Sequence, residues 1–393
     1  MKCLIVLFSL LSLISCSGGS SGDLAAPADE VANGTAPYQC QSIPLTKGQR
    51  QFGMDILYEP KSGIYSQSLT TLKNMGAQFQ TFHLNWNDLE GAGSGASSGV
   101  FSSTYTAYLD ALNATASASG LKVTLRIHPV DVPGKSVPSD LVALRFNHAN
   151  MITRYNQMLT YVFQHLSPQN VTRLVVGNEI DGYNPGGDTN FWLPDYVTFL
   201  EGIKDFLNSN GAYSGLKLGF VITYRGATDR SLLIPTFGNT PAPDIFTGWL
   251  QSTKIDFVGI TYYPLNSDFT VKSNSQVAGV FDSLAAFTSK PIHIEEVGYP
   301  TSTALNGSDQ RQAEFFCEVF KAWDKHSSAI PSLSILRMMD TTSSKANETA
   351  ATYGLTGNMS FVEYIRSLGI RNVENQPKEA FSIIQGELKK RSF

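Results

Sequence analysis

The chain has 393 residues, 42% hydrophobic and 16% charged, with a formal net charge of −4. That is enough apolar material for a large core, and it gives no electrostatic bias toward nucleic acid, so a polyanionic partner is not expected. The low charged fraction, with 33 Gly, 23 Phe and 16 Tyr, is more in keeping with an exported protein than with a cytosolic one.

The N-terminus carries the same implication. Lys2 precedes an apolar run over 4–13, too short to span a bilayer comfortably, and Ile14-Ser15-Cys16 follows; this is the pattern of a signal peptide. Leu13-Ile14-Ser15-Cys16 resembles the bacterial lipobox. The resemblance implies that residues 1–15 are removed, that Cys16 is acylated as the first mature residue, and that the protein is anchored to a membrane outside the cytoplasm. Ser17 stands where such lipoproteins carry Asp for inner-membrane retention, which implies the outer membrane in a Gram-negative cell. Residues 16–46, rich in Ser, Gly, Ala, Pro and Asp, cannot form a core and read as a flexible tether. Of the four cysteines, Cys3 leaves with the signal and Cys16 is taken by lipid. Cys40 and Cys317 are left either to pair in an oxidising compartment or to stand as two buried thiols. With no CxxC or His pair nearby, they do not read as a zinc site.

From Lys47 onward, short β-rich runs alternate with amphipathic segments, the pattern of βα units closing a parallel sheet. In chain order the expected elements are a strand at 52–55, a helix at 68–75, a strand at 79–84, a helix at 104–119, a strand at 122–128 and a helix at 148–165. Strands at 173–179 and 216–223 flank a helix at 194–208, and strands at 257–263 and 292–296 flank a helix at 276–288. A helix at 310–325 and a strand at 333–338 complete the series. Eight such units predict a (β/α)8 barrel, α/β in class, as a single domain over 47–393. The competing doubly wound sheet lacks its Gly-rich phosphate turn: no G-x-G-x-x-G follows the first strand or any later one.

In a (β/α)8 barrel the active site lies at the C-terminal ends of the strands. The polar residues expected there are Asp55, His83, Asn85, Trp86, His128, Asp131, Asn178, Glu179, Tyr262, Tyr263, Glu295, Glu296 and Asp340. Two segments stand out, Leu174-Val175-Val176-Gly177-Asn178-Glu179 and Ile292-His293-Ile294-Glu295-Glu296, because each is an apolar strand ending in a carboxylate. Cleavage of a glycosidic bond needs such a pair. One carboxyl stays protonated to supply the departing sugar oxygen, and the other, ionised, attacks the anomeric carbon or activates water. Trp86 after the second strand and Trp192 in the loop after Glu179 are candidate platforms for pyranose faces.

Gly177-Asn178-Glu179 at the end of the fourth strand, with Glu296-Val297-Gly298-Tyr299-Pro300 at the end of the seventh, resembles glycoside hydrolase clan A, the retaining (β/α)8 glycosidases. The resemblance implies that Asn178 contacts a sugar 2-hydroxyl, that Glu179 is the acid/base and that Glu296 is the nucleophile, with Glu295 as the alternative. Strand alternation is expected to turn Glu295 to the opposite side. Gly259-Ile260-Thr261-Tyr262-Tyr263-Pro264 is similar to the clan's Gly-x-Asn-Tyr-Tyr segment, which implies that Tyr263 hydrogen-bonds the nucleophile. The third strand, Thr124-Leu125-Arg126-Ile127-His128, looks like those whose His contacts sugar hydroxyls, so His128 joins His83 and Asp55 as a candidate substrate contact. Local motifs are most similar to the endo-β-1,4-galactanases, with some likeness to β-1,3-glucanases around Glu296 to Pro300. The implied activity is retaining hydrolysis of a β-linked polysaccharide or oligosaccharide by a monomer, with carbohydrate as partner and no metal or organic cofactor.

Two features depart from the clan. The second strand carries His83 where an Arg is usual, the nearest Arg being Arg126 on the third strand, and Arg337-Met338-Met339-Asp340 ends the eighth strand without an aromatic platform. Two other readings compete. One is a surface lipoprotein that binds glycan without cleaving it; the other is a metal-dependent hydrolase in which His83, His128 and Asp55 converge on an ion.

Overall fold

A computed structural model of the chain describes residues 40, 43–56, 64–183, 192–228 and 250–393. The expected signal peptide, Cys16 and the tether as far as residue 39 lie outside the described residues.

Eight strands close into a barrel in sequence order: β1 (Gln51–Asp55), β2 (Phe79–Asn85), β3 (Lys122–His128), β4 (Val171–Val176), β5 (Lys217–Thr223), β6 (Phe257–Tyr262), β7 (Ile292–Val297) and β8 (Ser332–Leu336). Every neighbouring pair is parallel, and β8 pairs back onto β1. The strands are runs of Val, Ile, Leu and Phe because both their faces are buried, one in the bore and one beneath the helices.

The six expected helices are present: α1 (Ile64–Asn74), α2 (Ser103–Ser119), α3 (Ala149–His165), α4 (Trp192–Ser209), α5 (Val277–Phe287) and α6 (Asp309–Lys325). Their limits follow local chemistry. Ser102 caps α2 by accepting from Tyr105 N, Gly120 ends it at φ +76°, and Ser308 caps α6 by accepting from Arg311 N. Along α6, Ala313, Phe316, Phe320 and Trp323 recur at the helical period and are fully or almost fully buried. Three further helices, α7 (Ser343–Thr352), α8 (Met359–Arg366) and α9 (Glu379–Lys390), follow β8 and were not expected. In α7 the buried side chains are only Ala346 and Ala350, too small to mark a stripe in the sequence. Cys40 and Cys317 are joined in a disulfide with Cα atoms 5.5 Å apart, so the alternative of two free thiols does not hold.

The bore is filled unusually. Aliphatic layers are the norm for this fold, yet here two glycines admit aromatic rings. A Cβ on Gly53 would lie 2.2 Å from the Phe79 ring, and one on Gly219 would lie 2.4 Å from the Phe257 ring. Arg173 from β4 lies with its guanidinium carbon 4.3 Å from the Phe79 centroid, donates to Ser332 Oγ at 2.9 Å and pairs with Glu295 at 2.8 Å. Ser332 and Gln51, which also accepts from Arg173, begin their strands, so this polar layer sits low in the bore, below the C-terminal mouth.

Candidate active site

β7 contains one residue more than its neighbours. Ile260 and Thr261 of β6 pair with Ile294 and Glu296, while Leu333 and Ile335 of β8 pair with Ile294 and Val297. Glu295 is the residue left over, which makes this a β-bulge. The bulge corrects the expectation from simple alternation: Glu295 and Glu296 both face the bore, at different depths. Glu295 points down to Arg173, and a Cβ on Gly259 would lie 2.9 Å from its Cγ. Burial alone would raise the Glu295 carboxyl, but Arg173, His293 and Arg126 outweigh it and hold it down at about 2. It is a permanent counter-charge, buried to 1% exposure and absent from the cavity lining.

Glu296 points up to the mouth. Arg126 Nη1 lies 2.7 Å from its Oε1, and the Tyr263 hydroxyl donates to its Oε2 at 2.6 Å. Both oxygens are therefore engaged, one by a guanidinium and one by a phenol, which aims the carboxylate and compensates its charge. Arg126 also donates from Nη2 to Asn178 Oδ1, and Asn178 Nδ2 donates to Asp131 Oδ1 at 3.0 Å. These contacts fix which way the Asn178 amide faces. The Asp131 carboxyl is pushed up to about 6, mainly by burial and against its bond from Asn178.

Glu179 does not end a strand, as the sequence suggested. β4 stops at Val176 and the chain turns through Gly177 at φ +86°, where a Cβ would lie 2.3 Å from the Tyr196 hydroxyl. Glu179 itself adopts φ +42°, ψ +44°, a left-handed conformation costly for a side chain of this kind. Its carboxyl faces the cavity and accepts from Thr261 Oγ1 at 2.6 Å. Enclosure by protein first, and then the negative charge of Glu296, raise it to about 8. Two carboxyl groups of one kind thus meet opposite surroundings.

The residues around them line one cavity of about 940 Å³ at the C-terminal ends of the strands. Asn178, Glu179, Glu296, Tyr263, His83 and His128 all line it, as the sequence suggested. Burial lowers both histidines, most strongly His128, which the nearby Arg126 and His83 lower further; their rings lie 6.0 Å apart. Two expected contacts, Asp55 and Trp86, are placed otherwise. Asp55 is buried outside the lining with its Oδ2 3.8 Å from His83 Nδ1, a brace for that ring rather than a substrate contact. Trp86 is fully buried, donates to Glu90 Oε2 at 2.7 Å and meets the Tyr155 ring edge-on, so it is core packing and no platform. Trp192 is the first residue of α4, and its side chain lies outside the described residues. Among the described residues, no group of three His, Cys, Asp or Glu side chains is placed to hold a metal ion, so His83, His128 and Asp55 do not form one.

The structure adds residues that sequence reasoning passed over. Thr261 holds Glu179; Asp181, raised to about 6 by burial, accepts from Thr223; Tyr364 from α8 packs edge-on against Tyr263 with centroids 5.5 Å apart. Tyr353, Tyr364 and Phe361, all carried after β8, line the cavity and supply the aromatic wall that the end of β8 lacks. Their signal in the sequence was aromatic spacing in a segment without strand character.

The sequence matches no protein-family model and no curated protein. Solved structures do resemble the fold. An exo-β-1,4-mannosidase from Opitutaceae bacterium strain TAV5 superposes with a TM-score of 0.62 at 14% identity, over 87% of this chain and 59% of its own. This chain therefore spans well under two thirds of that mannosidase. A GH5_18 protein from Bifidobacterium longum subsp. longum, solved with Manβ1-4GlcNAc, gives 0.63 at 16% identity over 87% and 78%. A fungal β-1,4-galactanase gives 0.56 at 14% over 85% and 98%. At such identities these neighbours establish the fold: the chain is a (β/α)8 barrel of the architecture these proteins use.

Proposed function

We propose that this protein is a retaining glycoside hydrolase acting on a β-linked polysaccharide or oligosaccharide. The observation that carries the reading is the asymmetry of the carboxyl pair: Glu296 is held by Arg126 and Tyr263, while Glu179 receives a single hydroxyl and is raised to about 8. Glu296 attacks the anomeric carbon as Glu179 protonates the leaving oxygen. The resulting glycosyl-enzyme is hydrolysed by water, from which Glu179 takes a proton. Asn178, turned by Arg126 and Asp131, has one amide hydrogen left for a sugar hydroxyl. A cavity of about 940 Å³ is at the upper end of ligand sites, roughly 300–1,000 Å³, and suits several sugar rings. The neighbours named for β-mannoside and β-1,4-galactan chemistry point to where a substrate search begins.

On the lipobox resemblance of Leu13-Ile14-Ser15-Cys16 we further propose that the protein is attached to a bacterial cell envelope through an acylated Cys16, on the outer membrane if the cell is Gram-negative. The Cys40–Cys317 disulfide supports an oxidising compartment.

The test is a panel of β-mannan, β-1,4-galactan and β-glucan, with the anomeric form of the first product followed by NMR. Hydrolysis with retention, lost in both Glu179→Gln and Glu296→Gln, is expected. Inversion, or full activity in either variant, overturns the assignment; absence of hydrolysis across a broad panel with measurable glycan binding favours a binding protein.

A further inference from the structure

A carboxylic acid has two oxygens, and an acid catalyst works only if its proton sits on the one facing the leaving group. Glu179 has no strand to orient it: it lies in a left-handed turn beyond β4. Among the described residues, the side chain that donates to its carboxyl is Thr261, through Oγ1 to Oε1 at 2.6 Å. Thr261 is 1% exposed and lies in β6, with Thr223 of β5 on one side in the ladder and Glu296 of β7 on the other. A β-branched side chain has little rotational freedom. The ladder step that opposes Thr261 to Glu296 is also the step set by the bulge, so one rung of sheet fixes both the nucleophile and the group that holds the acid.

Resting on the hydrolase reading above, we propose that Thr261 is a positioning residue for proton transfer: by donating to Oε1 of Glu179 it makes that oxygen the carbonyl and leaves Oε2 to carry and deliver the proton. In the first step the O–H bond at Oε2 breaks as the glycosidic C–O bond breaks. The proton joins the departing sugar oxygen, which keeps the C–O electron pair, and a Glu296 oxygen supplies the pair for the new bond to the anomeric carbon. In the second step the water oxygen bonds the anomeric carbon, its proton returns to Oε2, and the ester pair returns to Glu296. The sixth-strand segment carries Thr where the clan pattern has Asn. A threonine hydroxyl has a single hydrogen to place, and here it is placed on the acid.

The experiment compares Thr261→Val, which keeps the shape, with Thr261→Ser, which keeps the hydroxyl. Two substrates are used: the β-glycan that the wild type degrades fastest, whose leaving alcohol needs a proton, and the 2,4-dinitrophenyl β-glycoside of the same sugar, whose leaving phenolate does not. General acid catalysis contributes roughly 10²–10⁴-fold, so a misplaced proton is expected to cost Thr261→Val at least about tenfold in kcat/KM on the glycan and less than about threefold in kcat/KM on the activated glycoside, since kcat/KM reads the bond-breaking step and not the later attack of water. Serine restores the glycan rate. In Thr261→Val the alkaline limb on the glycan also moves to higher pH, since the lost hydrogen bond favoured the ionised acid. Equal losses on the two substrates, or no loss on either, overturn the proposal. Glu179→Gln is the control that separates the two readings. If it keeps full activity on the glycan, the hydrolase assignment itself fails; if it shows the leaving-group dependence and Thr261→Val does not, only the role of Thr261 fails.

Discussion

Replacing Glu295 by Gln removes the negative charge from a buried ion pair while leaving its neighbour, Glu296, untouched. Relative to an ordinary 4.5, holding Glu295 at about 2 is worth about 3 kcal/mol at neutral pH, at about 1.36 kcal/mol per unit. Because the folded value is depressed, that contribution is complete above about pH 4.5 and is lost as pH falls toward 2. The amide also strands the Arg173 guanidinium, 1% exposed, without a counter-charge, and breaking a buried pair in this way costs roughly 3–5 kcal/mol. A domain of about 340 residues has an unfolding entropy of about 0.7 kcal/mol per degree near its midpoint, so Glu295→Gln is expected to lower Tm by about 4–7 °C at pH 7. Its kcat at 25 °C stays within about threefold of the wild type, since no Glu295 atom reaches the cavity. Glu296→Gln likewise leaves a buried guanidinium, that of Arg126, without its nearest counter-charge and lowers Tm too, but it differs in losing about 10³-fold or more in kcat. Replacing Arg173 and Glu295 together by Met recovers much of the stability lost in Glu295→Gln. Thermal melts and initial rates on the same preparations decide it. If Glu295→Gln melts like the wild type and loses its activity, Glu295 takes part in the chemistry and the division of labour argued from the bulge is wrong.

Glu179, raised to about 8, predicts that kcat/KM on glycans falls on the alkaline side near pH 8 and that Glu179→Gln removes this limb along with most of the activity. Since its folded value lies above the unfolded one, its contribution to stability is complete below about pH 4.5 and is lost as pH rises to about 8; Glu179→Gln therefore raises Tm over the wild type at pH 8 but not at pH 4.5. Trp86→Phe leaves the fully buried Glu90 short of a donor and is expected to cost about 1–3 kcal/mol in thermal melts, with KM unchanged; a raised KM with unchanged stability would restore Trp86 as a platform. Arg126→Lys keeps the charge but cannot bridge Glu296 and Asn178 together, so kcat/KM is expected to fall by about 10²-fold, and a loss under threefold would show that the bridge is dispensable.

The barrel was legible because its cause is local: strands buried on both faces read as short apolar runs, and the segments between them show helical spacing wherever the buried side chains are large. Where these are small, as with Ala346 and Ala350 of α7, the signal vanished and the helices after β8 went unseen. The position of Glu179 was legible only roughly, because Gly177 ends β4 early by a left-handed turn whose necessity comes from Tyr196, a residue on another element. Trp86 misled because an aromatic after a strand can turn outward to a sugar or inward to a core, and what decides is Glu90, four residues on and buried.

Register explains the remaining gap. The sequence shows His83 where an Arg beside the nucleophile is usual, and read along the chain that Arg is absent. Across the sheet it is not. His83 of β2 and Arg126 of β3 are direct partners in the ladder, one strand spacing of about 4.8 Å apart. A guanidinium on its long stem covers such a step, and Arg126 Nη1 reaches Glu296 at 2.7 Å from the neighbouring strand. His83, relieved of that duty, lines the cavity beside His128 instead. The exchange keeps the charge at the same height in the barrel while moving it by one strand, and it leaves imidazole on the cavity wall with the guanidinium buried behind it. Motifs compared strand by strand cannot detect an exchange of this kind, because the equivalence lies between neighbouring strands at one level of the sheet, and it arises only when the barrel closes.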